Sequence, residues 1–401
     1  MKERDFSAIT VSKRAEMSIK NGHPWVFETE ITAGGRDVEN GDIVDILNPR
    51  GAYIATGFYN EHSKIRLRVL SRNANDKPDR AFFERLVRRA VDYRRTVMGA
   101  DLDCCRMVFG ESDGMPGLTV DRFGTVLVVQ TLSLGMERHK EEVMELLVSV
   151  LEEYGCKTTG IFERNDVAIR EREGMTQGKG WMPGYEGDTT DVIIVENGIK
   201  YHVDIENGQK TGFFLDQKFN RAACAKIAKG RRVLDCFTHT GSFALNCAAG
   251  GAQSVTAVDI SQDALDTASA NAQLNGLDVD FVCENVFDLL SSMKKDHKYD
   301  FIILDPPAFT KSRSTVESAI RGYKEINLRA MKLLPRGGYL ATCSCSHFVG
   351  EDKFREMLKS AASDAGVSLR QIEARQQSAD HPILWNVPET DYLKFFILQK
   401  V

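Results

Sequence analysis

The chain has 401 residues, 42% of them hydrophobic and 27% charged, with a formal net charge of −5. That composition excludes a disordered or fibrous protein and gives room for two or three cores. No apolar run reaches the roughly 18 residues that a membrane span needs, and the N-terminal MKERDFSAIT has no apolar signal-peptide core, so a soluble cytoplasmic protein without a membrane partner is expected.

Residues 1–72 alternate short β-rich runs, SAITVS, GDIVDILN, PRGAYIATGFY and KIRLRVLS, with Gly, Asn and Pro punctuation, the pattern of a small β-barrel. The segments KNGHPWVFETEI, GDIVDIL and GAYIATGFYN resemble the PUA domain, a compact RNA-binding barrel attached to many RNA-modifying enzymes. The resemblance implies RNA contact; a barrel that only packs against its neighbour is the alternative. Residues 73–190 read as an α+β middle module. It comprises a helix over 80–97, the strand–turn–strand passage FGESDGMPGLTVDRFGTVLVVQTLS, a helix over 136–154 and a further strand passage, GIFERNDVAIREREGM. No residue set there looks catalytic. Arg80, Arg85, Arg88, Arg89, Arg94 and Arg95 crowd the first of these helices, and a solvated face is preferred over a phosphate track. Net charges of +1, −5 and −1 for residues 1–72, 73–190 and 191–401 leave no part strongly basic, so charge alone gives no support for a nucleic-acid partner.

From residue 191 onward strands alternate with helices: IIVENGIKYHVDI, VLDCF, SVTAVDI, VDFVCENV, YDFIILDPP and GGYLATCSCS are the strand-like runs. Such alternation predicts an α/β, Rossmann-like, doubly wound and mostly parallel sheet. The nine cysteines are odd in number, follow no disulfide framework and contain no CxxC pair, which argues for reduced thiols and no structural metal.

The run Asp235-Cys236-Phe237-Thr238-His239-Thr240-Gly241 joins a buried strand to a helix, where such a sheet binds a nucleotide-like ligand on exposed backbone amides. It lacks GxGxxG, which weakens a dinucleotide reading. The next strand ends in Asp259, a side chain suited to ribose hydroxyls; the third ends at Asn285 and the fourth at Asp305-Pro306-Pro307. This ordered set resembles the motifs of class I S-adenosylmethionine methyltransferases. The resemblance implies S-adenosyl-L-methionine as cofactor, the Asp235–Gly241 turn with Phe237 and Thr240 holding its methionine part, Asp259 its ribose and Asn285 its adenine. Family members often carry Asp where Asn285 stands, but an amide oxygen still accepts from the adenine amino group. Upstream, Thr211-Gly212-Phe213-Phe214-Leu215-Asp216-Gln217 resembles a TGxFLDQ signature found in one group of ribosomal RNA methyltransferases. By that resemblance Phe214, Gln217 and Arg221 close over the cofactor; a plain helix N-terminus accounts for part of the pattern.

Carbon 5 of cytosine is a poor nucleophile, and an enzyme that methylates it first adds a nucleophile to carbon 6, a task suited to a thiolate. In Gly338-Tyr339-Leu340-Ala341-Thr342-Cys343-Ser344-Cys345-Ser346 the spacing of Cys345 from Gly338 is that of the cysteine in the TCS motif of RNA cytosine-5 methyltransferases, and this resemblance assigns Cys345 as nucleophile. Cys343 is the second candidate, on the same face if the strand persists. Buried cysteines are otherwise small hydrophobes, and Cys343, Cys345 and His347 are poorly disposed to converge on a metal. By the same resemblance Asp305, set at the sheet edge beside the cofactor methyl and counted among the cofactor-binding residues, hydrogen-bonds the N3 and amino edge of the base and assists addition to carbon 6. Ala308 stands where many such enzymes carry a second cysteine, and it separates Pro307 from Phe309, unlike the DPPY/F motif of amino-group methyltransferases.

With SDGMPGLTVDRFG, FERNDVAIREREG and the C-terminal SADHPILWNVPETDYLKFF added, the chain resembles bacterial 23S ribosomal RNA cytosine-5 methyltransferases over essentially its whole length. RNA, most of all ribosomal RNA of the large subunit, is the implied partner, with a homodimer open. The alternatives are an N-methyltransferase acting on an RNA base, a small-molecule methyltransferase and a catalytically silent RNA-binding protein.

Overall fold

The computed structural model describes residues 5–294, 297–310 and 312–401. The first four residues of the N-terminal stretch discussed above lie outside that range. By its internal contacts the chain forms two compact units, one of residues 1–193, 203–215 and 379–390, the other of residues 194–202, 216–378 and 391–401.

In the first unit β1 (Ala8–Val11), α1 (Lys13–Lys20), β2 (Trp25–Phe27), β3 (Ile31–Ala33), β4 (Ile43–Leu47), β5 (Tyr53–Tyr59) and β6 (Ile65–Ser71) come first. Their sheet runs β2-β6-β5-β4-β1-β3 and closes over Ile9, Val26, Val44, Ile46 and Leu67, none of them exposed. The α+β part follows with α2 (Arg80–Met98), β7 (Cys104–Phe109), β8 (Leu118–Phe123), β9 (Val126–Thr131), α3 (Leu134–Glu153), β10 (Gly160–Arg164), α4 (Ile169–Arg172) and β11 (Lys179–Trp181). Here one expectation fails: the passage after β10 turns into the short helix α4, because Arg170 drives its guanidinium inward onto the Thr131 carbonyl and Glu137. The arginines of α2 are largely matched by carboxylates: Arg80 by Glu145, Arg85 by Asp76, Arg88 by Glu84 and Glu153, Arg94 by Asp113 and Arg95 by Asp92. Arg94 is fully buried. A helix face neutralised in this way offers little to phosphate. The segment 379–390 is tied down through Arg94 to the Asp380 carbonyl, Ser112 to the Pro382 carbonyl and Asn386 to the Asn21 carbonyl, yet leaves Trp385 99% exposed.

The hairpin of β12 (Asp191–Glu196) and β13 (Ile199–Asp204) leads to the second unit. That unit contains α5 (Lys218–Ala228), β14 (Arg232–Cys236), α6 (Ser242–Ala249), β15 (Ser254–Asp259), α7 (Gln262–Asn275), β16 (Asp280–Cys283), α8 (Val286–Ser292), β17 (Phe301–Leu304), α9 (Val316–Leu333), β18 (Tyr339–Ser344), α10 (Glu351–Ala365), β19 (Leu369–Arg375) and β20 (Lys394–Lys400). Its sheet order is β16-β15-β14-β17-β18-β20-β19. The first five strands are parallel, while β20 runs antiparallel between β18 and β19. Alternate strand residues face opposite layers: Leu234, Ile302 and Leu340 pack with α8, α9 and α10, while Val233, Phe301 and Ala341 pack with α5 and α6. The fold is thus α/β and Rossmann-like. Its strand order reverses between β14 and β17, the place where open α/β sheets open a crevice at their carboxyl ends.

No helix among the described residues is long and apolar enough to cross a membrane. All nine cysteines are free thiols.

Candidate active site

The β14–α6 turn is built around a buried carboxylate. Asp235 is fully buried, and its Oδ2 accepts from the Thr238 hydroxyl at 2.6 Å and the Ala244 amide at 3.0 Å. Among the described residues its Oδ1 has no hydrogen-bond partner, and neither has the buried Thr240 hydroxyl. Burial raises the Asp235 carboxyl to about 7. Phe237 and His239 take positive φ, 63° and 51°, a strained choice for residues with a Cβ. Gly241 caps α6 with φ 82°, and a Cβ there would meet Ala268 at 3.0 Å. Unpaired buried acceptors are costly unless a ligand meets them. A carboxylate oxygen and a hydroxyl left open in one turn fit the amino and carboxylate groups of a methionine moiety.

Asp259, at the end of β15, accepts the His239 amide on Oδ2 at 2.8 Å and the Ser261 amide on Oδ1 at 3.0 Å, so both oxygens are oriented and each keeps a lone pair for a hydroxyl. Exposed Ile260 follows, at 70% exposure, an apolar surface at the strand end that the sequence reading passed over. Asn285 caps α8 by accepting from the Phe287 amide at 2.9 Å, which uses one lone pair of the oxygen assigned to adenine. The backbone joins the two strand ends, the Glu284 amide donating to the Asp259 carbonyl at 3.0 Å.

Gln217, Asp305 and Cys343 come together directly. The Gln217 amide nitrogen donates to Asp305 Oδ1 at 3.2 Å, and the Cys343 thiol donates to the same oxygen at 2.9 Å. Gln217 is itself held by Asn220, whose amide donates to its Oε1 at 2.7 Å. Burial, then the Asp305 charge, push the Cys343 thiol well above its ordinary range and keep it protonated. Cys345 differs. The strand ends at Ser344, so Cys345 stands one residue past it, half-buried, although both cysteines pack on the same cluster.

The structure places Arg221 elsewhere. It is 1% exposed and forms a bidentate pair, at 2.6 and 2.8 Å, with the fully buried Glu196. Its fork is spent inside the unit, which makes it a brace for α5 and leaves it poorly placed to touch a cofactor. Phe214 belongs to the first unit, its ring 4.5 Å from Lys210 Nζ. Phe309 is half-buried: its ring lies 4.5 Å from Tyr323 and 5.9 Å from Phe287, packed against the core under α9. Lys394, the lone charge in the apolar run YLKFFIL, is only 4% exposed and joins the candidate residues on structural grounds alone.

Among known proteins, residues 108–393 match the family model described as S-adenosylmethionine-dependent methyltransferase, and residues 9–72 match that of a PUA-like domain. The chain is therefore a methyltransferase that uses S-adenosyl-L-methionine, with an N-terminal PUA-like domain. A Streptococcus mutans structure described as a candidate SAM-dependent methyltransferase superposes with a TM-score of 0.81 at 22% identity, covering 98% of this chain and all of that one, which attests the shared fold. Among curated relatives, ribosomal RNA large subunit methyltransferase I of Pseudoalteromonas translucida is 42% identical over 98% of both chains, and that of Klebsiella pneumoniae strain 342 is 40% identical over 98% of both. The chain belongs to the ribosomal RNA large subunit methyltransferase I family.

Proposed function

We propose that this protein methylates carbon 5 of a cytosine in large-subunit (23S) ribosomal RNA, with Cys345 as nucleophile. The observation that carries the reading is the contrast between the two cysteines: Cys343 is fixed as a thiol against Asp305, while Cys345 stands past the strand end and half-open. The names of the relatives supply the RNA, and the PUA-like domain agrees with it. Within that reading residues 1–72, 73–190 and 191–401 act as RNA-binding, middle and catalytic parts.

The Cys345 sulfur forms a bond to carbon 6 of a cytosine taken out of its stack. Electron density passes to carbon 5, which becomes nucleophilic. The cofactor supplies an electrophilic methyl group. Asp305, oriented at Oδ1 by Gln217 and Cys343, accepts from the amino group of the base and, when protonated, donates to N3, which draws electron density from the ring as sulfur adds to carbon 6. A base, water included, then takes the carbon 5 proton; the C–H electron pair re-forms the carbon 5–carbon 6 double bond as the sulfur–carbon bond breaks and its pair returns to sulfur. Amino-group methylation is disfavoured, because Phe309, the ring available to stack a base, is packed on Tyr323.

The test incubates the protein with isotope-labelled S-adenosylmethionine and unmodified bacterial 23S RNA, then identifies the labelled nucleoside by mass spectrometry. Label in 5-methylcytidine, lost in Cys345→Ala while cofactor binding persists, is expected. Label in a methyladenosine or methylguanosine, or full turnover by Cys345→Ala, refutes the reading.

A further inference from the structure

Lys394 is a buried cation without a carboxylate partner among the described residues. It opens β20, is 4% exposed, and sits opposite Ser344 in the β18–β20 register. Its ammonium donates to the Ser346 carbonyl and the Tyr392 carbonyl, both at 2.8 Å. Cys345 lies between the two anchors, Ser344 across the sheet and Ser346 at the ammonium. Three N–H donors with two accepted leave one for a further acceptor. A buried ammonium held only by neutral carbonyls is costly unless a negative charge approaches it.

We propose that Lys394 is the positioning residue that activates Cys345, taking the thiol proton and holding the resulting thiolate as an ion pair. The inference rests on Cys345 being the nucleophile. The S–H bond breaks, the electron pair stays on sulfur and the proton goes to the lone pair of the amine, so a neutral thiol–amine pair becomes a thiolate–ammonium pair with no other reactant. Burial lowers the Lys394 amine to about 8, so a useful fraction is free base near neutral pH. The ionisable groups whose charges act on it are Cys343 near the end of β18, Cys345 just past that strand, Asp391 in the turn before β20 and Glu351 at the start of α10. Asp391 and Glu351 act in the opposite sense, favouring the ammonium. Once the thiolate has formed, the ammonium keeps the leaving sulfur anionic for release from carbon 6.

The test needs neither RNA nor methyl transfer. The rate of Cys345 alkylation by iodoacetamide is followed from pH 6 to 10 in the full-length protein, with Cys343 and Cys345 distinguished by tandem mass spectrometry. The wild type should show a midpoint below the ~8.5 of a free cysteine. Lys394→Gln keeps a donor for the carbonyls but no charge; its midpoint should rise by about one unit, slowing alkylation at pH 7 roughly tenfold. Lys394→Arg, still cationic, should keep the wild-type midpoint. A wild-type midpoint at or above that of a free thiol overturns the proposal without any variant, as does an unshifted Lys394→Gln that melts normally. Retained methylation by Cys345→Ala would instead sink the nucleophile reading and leave the thiol profile as it was.

Discussion

Replacing Asp235 with Asn should make the ligand-free protein relatively more stable as the pH rises. Asp235 is fully buried, and its carboxyl lies at about 7 against an ordinary 3.8. A carboxyl raised by folding contributes most below its unfolded value, and that contribution is lost as the pH climbs through the folded value. The window here therefore runs from about pH 4 to about pH 7. Linkage gives a penalty of about 1.5 kcal/mol at pH 5 and at most about 4 kcal/mol at pH 8. Asn carries no such penalty, and whatever it loses in hydrogen bonding to Thr238 and Ala244 is the same at both pH values. The stability difference between variant and wild type should thus move by about 3 kcal/mol in favour of Asn from pH 5 to pH 8. Urea unfolding at the two pH values, without cofactor, measures it. An equal difference at both pH values would mean that Asp235 is not held neutral in the fold. The same variant should bind S-adenosylmethionine at least tenfold more weakly at pH 8, which equilibrium dialysis reads directly.

Cys343→Ala removes one of the donors that fix Asp305 Oδ1 and should lower kcat about tenfold with cofactor binding kept, the size expected for losing about 1.5 kcal/mol of orientation; an unchanged kcat would show that this thiol does not orient Asp305 for catalysis. Glu196→Ala leaves the Arg221 charge buried without its partner and should cost about 3–5 kcal/mol in chemical denaturation, whereas a loss under about 1 kcal/mol would show that water reaches the guanidinium. Phe309→Ala should destabilise by about 3 kcal/mol through lost contact with Tyr323 and Phe287 while the methylated nucleoside stays the same; a changed product would mean that this ring reads the base.

The parallel part of the α/β half was legible because β14, β15, β17 and β18 are short, mainly apolar runs, and Asp259 and Asp305 do stand at or just past the ends of β15 and β17, whereas the polar, largely exposed β19 carries no such pattern. The antiparallel course of β20 was not, since direction leaves no mark on an apolar run. Arg221 shows the main limit: periodicity puts a polar residue on α5, but only tertiary pairing with Glu196 turns it inward. Lys394 was missed for the same reason, one charge in an apolar strand reading as a surface interruption. The difference between Cys343 and Cys345 depends on the strand stopping at Ser344, and boundaries of one residue are what sequence patterns resolve worst.

Trp385 has a practical consequence. Of the three tryptophans, Trp25 is tied through its indole nitrogen to Glu111 at 2.8 Å and Trp181 meets Phe162 edge-on at 5.1 Å, whereas Trp385 is 99% exposed on an anchored segment. Its fluorescence should be the most red-shifted of the three and the first to be quenched by iodide. The protein thus carries a built-in optical gauge, readable without a label, of anything that shields this one loop from solvent.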